Sequence, residues 1–166
     1  MKKIKLLIFI VAYNAEKTIQ SVINRIPKKL SLIYDIEVLI IDDCSKDHTF
    51  KICKEILKSK KSYFKLNILY NSKNQGYGGN QKIGYHYSIK KKFDFVVLLH
   101  GDGQYAPEEL PKLLNGLQND KLDVVIGSRM IKKKNALKGG MPLYKLIGNI
   151  ILTKIQNFLL NTNLAE

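Results

Sequence analysis

Two apolar runs that end abruptly in acidic, polar segments constrain the fold of this chain most. Residues 95–99 are apolar and lead directly into residues 100–104, which contain Asp102 and two glycines. Residues 38–41 lead in the same way into Asp42 and Asp43. Short continuous apolar runs are typical of buried parallel strands. Because the carboxyl ends of such strands form the ligand-binding edge of open α/β sheets, the pattern predicts a site at that edge.

Predicted strands and helices alternate along the rest of the chain. The apolar segment after the lysine-rich N-terminus runs straight into Tyr13 and Asn14 without a cleavage pattern, so we interpret it as a first buried strand and not as a signal peptide. We expect strands at residues 4–12, 36–41, 66–70, 94–99 and 122–126. We expect helices at 16–26 and 47–58, a helix that opens from the glycine-rich turn at 74–79 and runs through about residue 90, and another from Pro107. This alternation indicates βαβ units and a mostly parallel sheet with helices on both faces.

The chain is strongly basic, with a net charge of +14 over 166 residues, a length that suits one domain with a real core. Of its 28 basic residues only Arg25 and Arg129 are arginine, which disfavours nucleic-acid recognition because that usually relies on the planar guanidinium. A lysine-rich genome explains such an excess, and attraction to anionic lipid headgroups is the alternative. Cys44 and Cys53 form no metal-binding pattern, and we expect both to be reduced in a cytosolic protein.

The C-terminal part of the chain differs from the rest. Residues 132–140 are a basic, glycine-containing stretch that predicts a loop, and Pro142 opens a long helical pattern. Residues 130–166 carry six lysines and one acid, which favours contact with an anionic surface. The apolar stripe of this helix fits a helix packed in the core and equally a helix lying on a membrane. Its members are Leu143, Leu146, Ile147, Ile150, Ile151, Ile155, Phe158 and Leu159.

The acidic strand ends point to a metal-assisted nucleotide site. Asp102 offers the hard oxygen ligands that divalent cations prefer, although an aspartate before glycine is also a common turn residue. A carboxylate on the ribose or base, such as Asp42, and another on a metal-bound diphosphate would fit a nucleoside diphosphate, with the metal acting as a Lewis acid. The glycine-rich residues 74–80 lack the spacing of a dinucleotide fingerprint and of a P-loop. Ser45 has no evident histidine partner, which argues against a hydrolase triad.

Five short motifs follow one another in order along the chain. They are IVAYNAE at residues 10–16, IDDCSKDHT at 41–49, NQGYGGN at 74–80 with Gly84, HGDGQ at 100–104 followed by Pro107 and Glu108, and GSR at 127–129. In this order the chain resembles the family 2 glycosyltransferases, and most of all their dolichyl-phosphate mannosyltransferase-like branch. The resemblance extends from residue 4 to about residue 160.

The resemblance implies an α/β domain of GT-A type, with a Rossmann-like, mostly parallel sheet flanked by helices. Residues 1–130 would bind the nucleotide sugar, and residues 131–166 would add a basic loop and an amphipathic helix to the same domain. Such an enzyme moves a sugar from a nucleoside-diphosphate sugar, with Mg²⁺ or Mn²⁺, to an acceptor that is a polyprenyl phosphate or a cell-envelope glycan. It would work in the cytoplasm, at the inner face of the cell membrane.

Residue roles follow from the same resemblance. Asp102 and Gln104 would lie at the metal, and Asp102 and Arg129 would be the catalytic residues, with Arg129 facing the diphosphate or the acceptor phosphate. The nucleotide sugar would contact Ala12, Tyr13, Asn14, Asp42, Asp43, Ser45, Asn74, Gly76, Gly79, His100 and Gly101.

Several positions depart from the family pattern. His100 replaces the first aspartate of the metal motif, Cys44 replaces a glycine, and Ala15 stands where an acid is frequent. We also expect the sequence to lack the acceptor-side segment that usually follows in this family. A module that binds nucleotide sugars without turnover is therefore an alternative function. A sugar nucleotidyltransferase is less favoured, because an early glycine-rich, arginine-containing phosphate loop is absent from the sequence.

Overall fold

The computed structural model of the protein describes residues 3–59, 62–119, 122–128, 137 and 141–164. The chain forms two compact units that divide between Lys112 and Leu113. The first unit contains a sheet with its helices, and the second contains a long C-terminal helix.

Four strands and three α-helices alternate in the first unit. Their order is β1 (Ile4–Ala12), α1 (Ile19–Asn24), β2 (Tyr34–Asp42), α2 (Thr49–Lys58), β3 (Lys65–Tyr70), α3 (Gly76–Lys91) and β4 (Phe95–His100). Short 3₁₀ helices span Lys28–Leu32 before β2 and Pro107–Glu109 after β4. The four strands confirm four of the predicted runs to within two residues at each end.

The strands form one parallel sheet in the order β3-β2-β1-β4. Parallel pairing requires each connection to cross over the sheet, and the intervening helices supply these crossovers. The chain moves from β1 outward to β2 and β3 on one side, and then returns to place β4 on the other side of β1. The sequence prediction of a mostly parallel α/β sheet is confirmed.

The core lies on both faces of β1 and β2. On one face Leu7, Phe9 and Leu39 are buried together with neighbouring strand residues, and Ile83 and Tyr87 of α3 pack against them. Alternate side chains of the same strands point to the opposite face and are fully buried as well: Leu6, Ile8, Ile10, Val38 and Ile40. Burial on both faces explains why these strands read as unbroken apolar runs.

Gly84 lets α3 approach the sheet closely. A Cβ atom at this position would lie 2.6 Å from two ring carbons of Phe9, a distance that no side chain tolerates. The ring of Phe9 in turn meets the ring of Tyr85 edge to face, with their centroids 5.3 Å apart. The glycine therefore sets the distance between the helix and the strand on which it packs.

The fifth predicted strand is not formed. Residues 122–128 contain no strand, and Leu122, Val124 and Ile126 are exposed. An apolar run becomes a strand only where its backbone pairs with a neighbour, and within the described residues the sheet has four strands. The first helix is also shorter than predicted, because residues 16–18 form a turn before α1 begins at Ile19.

Two further helices follow, α4 (Leu110–Asn119) and α5 (Leu143–Leu160). Leu146 is the buried residue of α5, and it packs against Met141 and Ile150. The other members of the predicted apolar stripe are half-buried or exposed, up to 86% for Phe158. Among the described residues, no helix combines the length and hydropathy that a membrane crossing requires.

Candidate active site

The carboxyl ends of the strands meet at one edge of the sheet. Ala12 pairs with Asp42, Val11 pairs with His100, and Asp42 pairs in turn with Tyr70. Since β2 and β4 flank β1 on opposite sides, the order of the strands reverses at β1. Such a switch in strand order opens a crevice at the carboxyl edge, which is the usual ligand site of open α/β sheets.

Hydrogen bonds join the loop after β1 to the loop after β2. The backbone N–H of Asn14 donates to Ser45 Oγ at 2.9 Å, and Asn14 Oδ1 accepts the N–H of Lys46 at 2.9 Å. The N–H of Ala15 donates to the buried Thr49 Oγ1 at 2.7 Å. These bonds fix the two loops relative to each other, so that Asn14 and Ser45 serve the fold as well as any ligand.

Asp47 completes this junction. One of its carboxylate oxygens accepts the N–H of Glu16 and the other accepts the N–H of Thr49, at 3.0 and 2.9 Å. Although burial alone would raise it, these hydrogen bonds hold the pKa of Asp47 below its ordinary value. His48 is the N-cap residue of α2, and Asp47, one residue further back, accepts the N–H of Thr49, the first residue of the helix.

Asp42 is fully buried at the end of β2. Its Oδ1 accepts the N–H of Ser45 at 2.8 Å, whereas its Oδ2 is buried and has no hydrogen-bond partner among the described residues. Burial raises the pKa of this carboxyl, and the nearby charges of Asp47 and Asp43 raise it further. An unpartnered buried oxygen is costly, so its persistence at a strand end points to a function.

Asp43 has a different environment from its neighbour. Its Oδ1 accepts two hydrogen bonds at 2.8 Å, one from Asn71 Nδ2 and one from the N–H of Gln75. Only 3% of the residue is exposed. Asp43 thus ties the loop after β3 and the start of α3 to the end of β2, and its local role is to position these segments.

Two residues at this edge adopt left-handed backbone conformations. Cys44 has a φ of 62°, and Asn14 has a φ of 49°. Asparagine adopts this region more readily than most residues, whereas cysteine does so at a cost that glycine avoids. The backbone at Cys44 is therefore one that glycine would adopt without strain.

The end of β4 lies against the backbone of β1. The N–H of Gly101 donates to the carbonyl of Val11 at 2.8 Å, and a Cβ on Gly101 would lie 3.2 Å from that oxygen and from the Cβ of Ala12. Thr18 Oγ1 donates to the carbonyl of Gly101 at 2.6 Å. The close approach of the two backbones brings residues 100–102 beside the buried Ala12.

His100 stands between two tyrosines. Its Nε2 lies 2.8 Å from the hydroxyl of Tyr77, at the start of α3. Its ring meets those of Tyr77 and Tyr105 edge to face, with centroid distances of 4.9 and 4.5 Å. This cluster could not be predicted from the sequence, because Tyr77 lies 23 residues before His100 in the chain.

Asp102 is the exposed carboxylate of the strand ends. Its Oδ1 accepts the N–H of Gln104 at 3.0 Å, in a tight turn that contains Gly103 with a φ of 76°. Within the described part of the chain, no three His, Cys, Asp or Glu side chains come together as a metal-binding group. One accessible carboxylate nevertheless fits Mg²⁺ or Mn²⁺ where the cation also binds a diphosphate, because such ions are commonly held by one or two carboxylates and the phosphates of the substrate.

The glycine-rich segment forms the start of α3. Asn74 Oδ1 accepts the N–H of Gly76 at 2.8 Å, and Gly76 has a φ of 70°. A Cβ on Gly79 would lie 2.7 Å from that of Gln75. Asn80 anchors this turn, since its Nδ2 donates to the carbonyl of Ile41 at 3.0 Å. The segment is thereby held beside the end of β2, through both Asn80 and Asp43.

The predicted site residues are distributed over this edge. Ala12, Asp42, Asp43 and Gly101 are buried, Tyr13 is 47% exposed, and the side of the site towards α3 is formed by Asn74, Gly76 and Gly79. Arg129, predicted to face a phosphate, lies outside the described residues. Thr18, Tyr77 and Tyr105 belong to the edge and were not predicted. The contacts that place Thr18 and Tyr77 join segments distant in the sequence, whereas Tyr105 contacts His100 in the same segment.

A shallow groove lies to one side of this edge, between the turn that precedes α1 and the helix α2. It is lined by Glu16, Lys17, His48, Lys51, Ile52 and Glu55. The groove is open to solvent, and the charged side chains that line it have both signs. We place the candidate site at the strand ends because the buried acid, the glycines and the exposed carboxylate converge there.

Comparison with known proteins identifies relatives that transfer sugars. Residues 7–165 match the family model described as Glycosyl transferase family 2. The chain is 36% identical over 157 residues to a UDP-N-acetylglucosamine–dolichyl-phosphate N-acetylglucosaminyltransferase of Methanococcus voltae, with 89% of this chain and 60% of that protein covered. It is 26% identical to a dolichol-phosphate mannosyltransferase of Pyrococcus furiosus, with 92% of this chain and 43% of that protein covered.

A solved structure supports the fold independently. The mannosyltransferase of Pyrobaculum calidifontis in complex with GDP-Man and Mn²⁺ superposes with a TM-score of 0.60 at 17% identity, covering 82% of this chain and 39% of that one. The chain thus spans about half the length of the relatives that it matches. The five ordered motifs, the parallel sheet of GT-A type and the match over residues 7–165 lead to one conclusion, that the chain belongs to glycosyl transferase family 2.

Proposed function

We propose that this chain binds a nucleoside-diphosphate sugar at the carboxyl edge of its sheet and transfers the sugar, with Mg²⁺ or Mn²⁺, to a polyprenyl phosphate. Residues 1–130 are the donor-binding part in this proposal, and residues 131–166 bring the enzyme to an anionic membrane surface. The observation that carries it is the convergence of the segments after β1, β2 and β4. A buried acid with an unpartnered oxygen, close backbone contacts and an exposed carboxylate lie at one edge.

Asp42 would recognise the nucleoside. Its Oδ2 needs a hydrogen-bond donor, and an N–H of the base or a hydroxyl of the ribose supplies one. Because this atom is buried, the residues that cover it must move when the donor binds. Asp43, held by Asn71 and Gln75, would keep the start of α3 in place beside the nucleotide.

Asp102 would hold the cation, with Gln104 beside it, and Arg129 would face the diphosphate or the acceptor phosphate. The cation supplies charge neutralisation of the departing diphosphate. The acceptor phosphate is already anionic, so its oxygen can attack the anomeric carbon without a strong general base. Among relatives, the proteins of M. voltae and P. furiosus are named for transfer to dolichyl phosphate, which supports this class of acceptor.

The helix α5 supports the lipid part of the proposal. Ile151, Leu152 and Phe158 are more than half exposed, and α5 carries two lysines and no acid. Packing in the core is the other interpretation of this helix, but Leu146 is its one buried residue. An exposed apolar helix that carries lysines and follows a basic segment favours the interface of an anionic membrane.

Activity is tested by divalent-dependent transfer from UDP-GlcNAc and GDP-Man to a polyprenyl phosphate, with donor hydrolysis measured in parallel. We expect Asp102→Ala and Asp42→Ala to lower the rate at least about a hundredfold, since each removes an interaction with the donor or its cation. Glu55→Ala on the exposed face of α2 is the control and keeps the rate. Full activity in both aspartate variants would refute the assignment.

Membrane contact is tested by sedimentation with vesicles of phosphatidylcholine, with and without phosphatidylglycerol. We expect binding that needs the anionic lipid and weakens in salt. Replacing Phe158 by serine should reduce it, whereas the same change at Tyr63, an exposed aromatic of the first unit, should not. Equal binding to neutral vesicles would contradict the electrostatic part of the proposal.

A binding module without turnover is the second candidate. One observation favours it. His100 replaces the first aspartate of the metal motif, so that Asp102 is the one carboxylate of residues 100–104. Calorimetry would distinguish the two functions. Donor binding without hydrolysis or transfer by the full-length gene product would select the binding module.

A further inference from the structure

The side chain of Arg25, at the end of α1, reaches the segment that follows β4. Its Nε donates to Glu108 Oε1 at 2.6 Å, and its Nη2 donates to Glu108 Oε2 at 2.9 Å. Its Nη1 donates to the carbonyl oxygen of Gly103 in a longer contact of 3.5 Å. One guanidinium therefore ties the turn after β4 to the 3₁₀ helix that follows it, from a position 83 residues earlier than Glu108.

The backbone on either side of Asp102 is held by residues at the two ends of α1. Thr18, the N-cap residue, donates from its Oγ1 to the carbonyl of Gly101 at 2.6 Å. Arg25, the C-cap residue, donates to the carbonyl of Gly103. The residues before and after Asp102 are thus fixed to one short helix, while Asp102 itself stays exposed.

The geometry of these contacts requires an arginine. The guanidinium presents its donors in a planar fork, so that Nε and Nη2 can bind one carboxylate while Nη1 reaches a third acceptor. The compact ammonium group of a lysine carries the same charge but cannot fix this arrangement. Arg25 is one of only two arginines among the 28 basic residues of the sequence, which agrees with a role for the shape of the group as well as its charge.

The ion pair between Arg25 and Glu108 is suited to orienting the segment more than to stabilising the fold. The two side chains are 35% and 49% exposed, and ion pairs at such a surface contribute little to the free energy of unfolding. Its two parallel hydrogen bonds are nevertheless directional. The bonds from Arg25 also lower the pKa of Glu108, so the carboxylate is charged at neutral pH.

We infer that Arg25 is a positioning residue, which through Gly103 and Glu108 orients the turn that presents Asp102 to the bound donor. The inference rests on the proposed function for what Asp102 binds. It goes beyond that function by assigning a role to an arginine and an ion pair that do not themselves contact the donor. Because a small displacement of a binding group can remove most of its effect, loss of the pair should weaken what Asp102 does.

The first experiment measures the affinity for UDP and for GDP by calorimetry, with Mn²⁺ and with EDTA. Arg25→Met keeps an apolar stem of similar length and removes the fork. We expect it to reduce the tightening of nucleotide binding by Mn²⁺ at least about fivefold, and to leave the affinity in EDTA within about twofold. Arg25→Lys keeps the charge without the fork and should lose most of the same effect.

The matched control is Lys112→Met. Lys112 forms an ion pair with Glu109, the neighbour of Glu108, but this pair joins residues three apart in the chain. The same substitution there should leave the effect of Mn²⁺ within about twofold of the wild type. An equal loss in Lys112→Met, or no loss in Arg25→Met, would overturn the inference. So would a loss of affinity in Arg25→Met that is as large in EDTA as with Mn²⁺.

A double-mutant cycle shows whether Arg25 acts through Glu108. Glu108→Ala should reduce the effect of Mn²⁺ as Arg25→Met does. The variant with both substitutions should lose no more than either alone, because each substitution removes the same pair. Losses that multiply in the double variant would show that the two residues act independently, and would contradict the ion pair as the positioning contact.

Hydrogen exchange of the free protein separates this inference from the proposed function. Arg25→Met should speed exchange in residues 101–105, and Lys112→Met should not. If UDP and GDP fail to bind, or bind without any effect of Mn²⁺, the proposed function fails, and exchange in residues 101–105 still decides whether Arg25 holds the turn. Unchanged exchange in Arg25→Met would overturn the inference whether or not a nucleotide binds.

Discussion

Asp43 follows β2 and is 3% exposed, with one oxygen accepting two hydrogen bonds from segments about 30 residues away, whereas Asp102 follows β4 and is exposed, with one local hydrogen bond. Both are acids within two residues of the end of an apolar strand, and the sequence pattern does not distinguish them. Asp42 stands between these extremes, because it is fully buried but keeps one oxygen without a partner.

This difference indicates two roles for the residues at one edge of the sheet. The residues after β2 are part of the fold, since they hold the loops after β1 and β3 and the start of α3. The residues after β4 rest on the backbone of β1 and leave Asp102 open to solvent. Substitutions after β2 should therefore change stability first, and substitution of Asp102 should change ligand binding alone.

The largest expected effect on stability is that of Asp43→Ala. It leaves Asn71 Nδ2 and the N–H of Gln75 without their acceptor, and we expect it to lower the free energy of unfolding by about 2–3 kcal/mol, measured by urea denaturation. Asp43→Asn keeps an oxygen that can accept both bonds and should cost less. A loss of less than about 0.5 kcal/mol in Asp43→Ala would break the distinction between the two strand ends.

A smaller effect is expected from pH at Asp42. Burial raises its pKa in the folded protein above the unfolded value of about 3.9, so the stabilisation it gives is fully present below that value and is lost as pH rises through the folded pKa. The Asp42→Asn variant has no carboxyl to ionise and does not lose this stabilisation. Its free energy of unfolding, relative to that of the wild type, should therefore rise between about pH 4 and pH 7. Denaturation curves at both pH values measure it, and a constant difference would contradict the buried, charged environment.

Cys44→Gly should act in the opposite direction. Cys44 has a φ of 62°, which glycine adopts without strain, so the substitution should stabilise the fold by about 0.5–1 kcal/mol. The gain is limited because glycine also loses more backbone entropy on folding. The thermal midpoint is the measurement. Cys53→Gly serves as a contrast, since it removes a fully buried side chain from α2 and should destabilise.

The smallest expected change in stability is that of Asp102→Asn. Its exposed side chain keeps an oxygen for the N–H of Gln104, so the free energy of unfolding should stay within about 0.5 kcal/mol of the wild type. The same protein should lose the effect of Mn²⁺ on nucleotide affinity in calorimetry. A large loss of stability here would remove the contrast with Asp43.

The sequence was sufficient for four strands of the sheet and for the edge at which the candidate site residues come together. Continuous apolar runs predicted β1, β2 and β4, and β1 and β2 are buried on both faces, which requires apolar side chains at nearly every position. Residues 122–126 carry a similar pattern and form no strand, since pairing depends on a neighbour that local sequence does not specify. The exposure of α5 could not be predicted either, because its apolar stripe fits a core and a membrane equally well.

The environment of each acid could not be predicted from the sequence. Asp43 and Asp102 were both predicted to act at the donor, and the hydrogen bonds that separate their roles join residues distant along the chain. The contact between His100 and Tyr77 is of the same kind, since Tyr77 reaches His100 from α3. Motifs identified the edge, and contacts between motifs determine what each residue can do there.

Hydrogen exchange with mass spectrometry tests the convergence of the strand ends most directly. The protein is compared alone and with Mn²⁺ and either UDP-GlcNAc or GDP-Man. The account predicts that one donor slows exchange together in three segments, residues 13–16, 43–48 and 101–105. Bound donor that protects only one of these segments, or that protects α2 along its outer groove, would contradict a single site at the edge of the sheet.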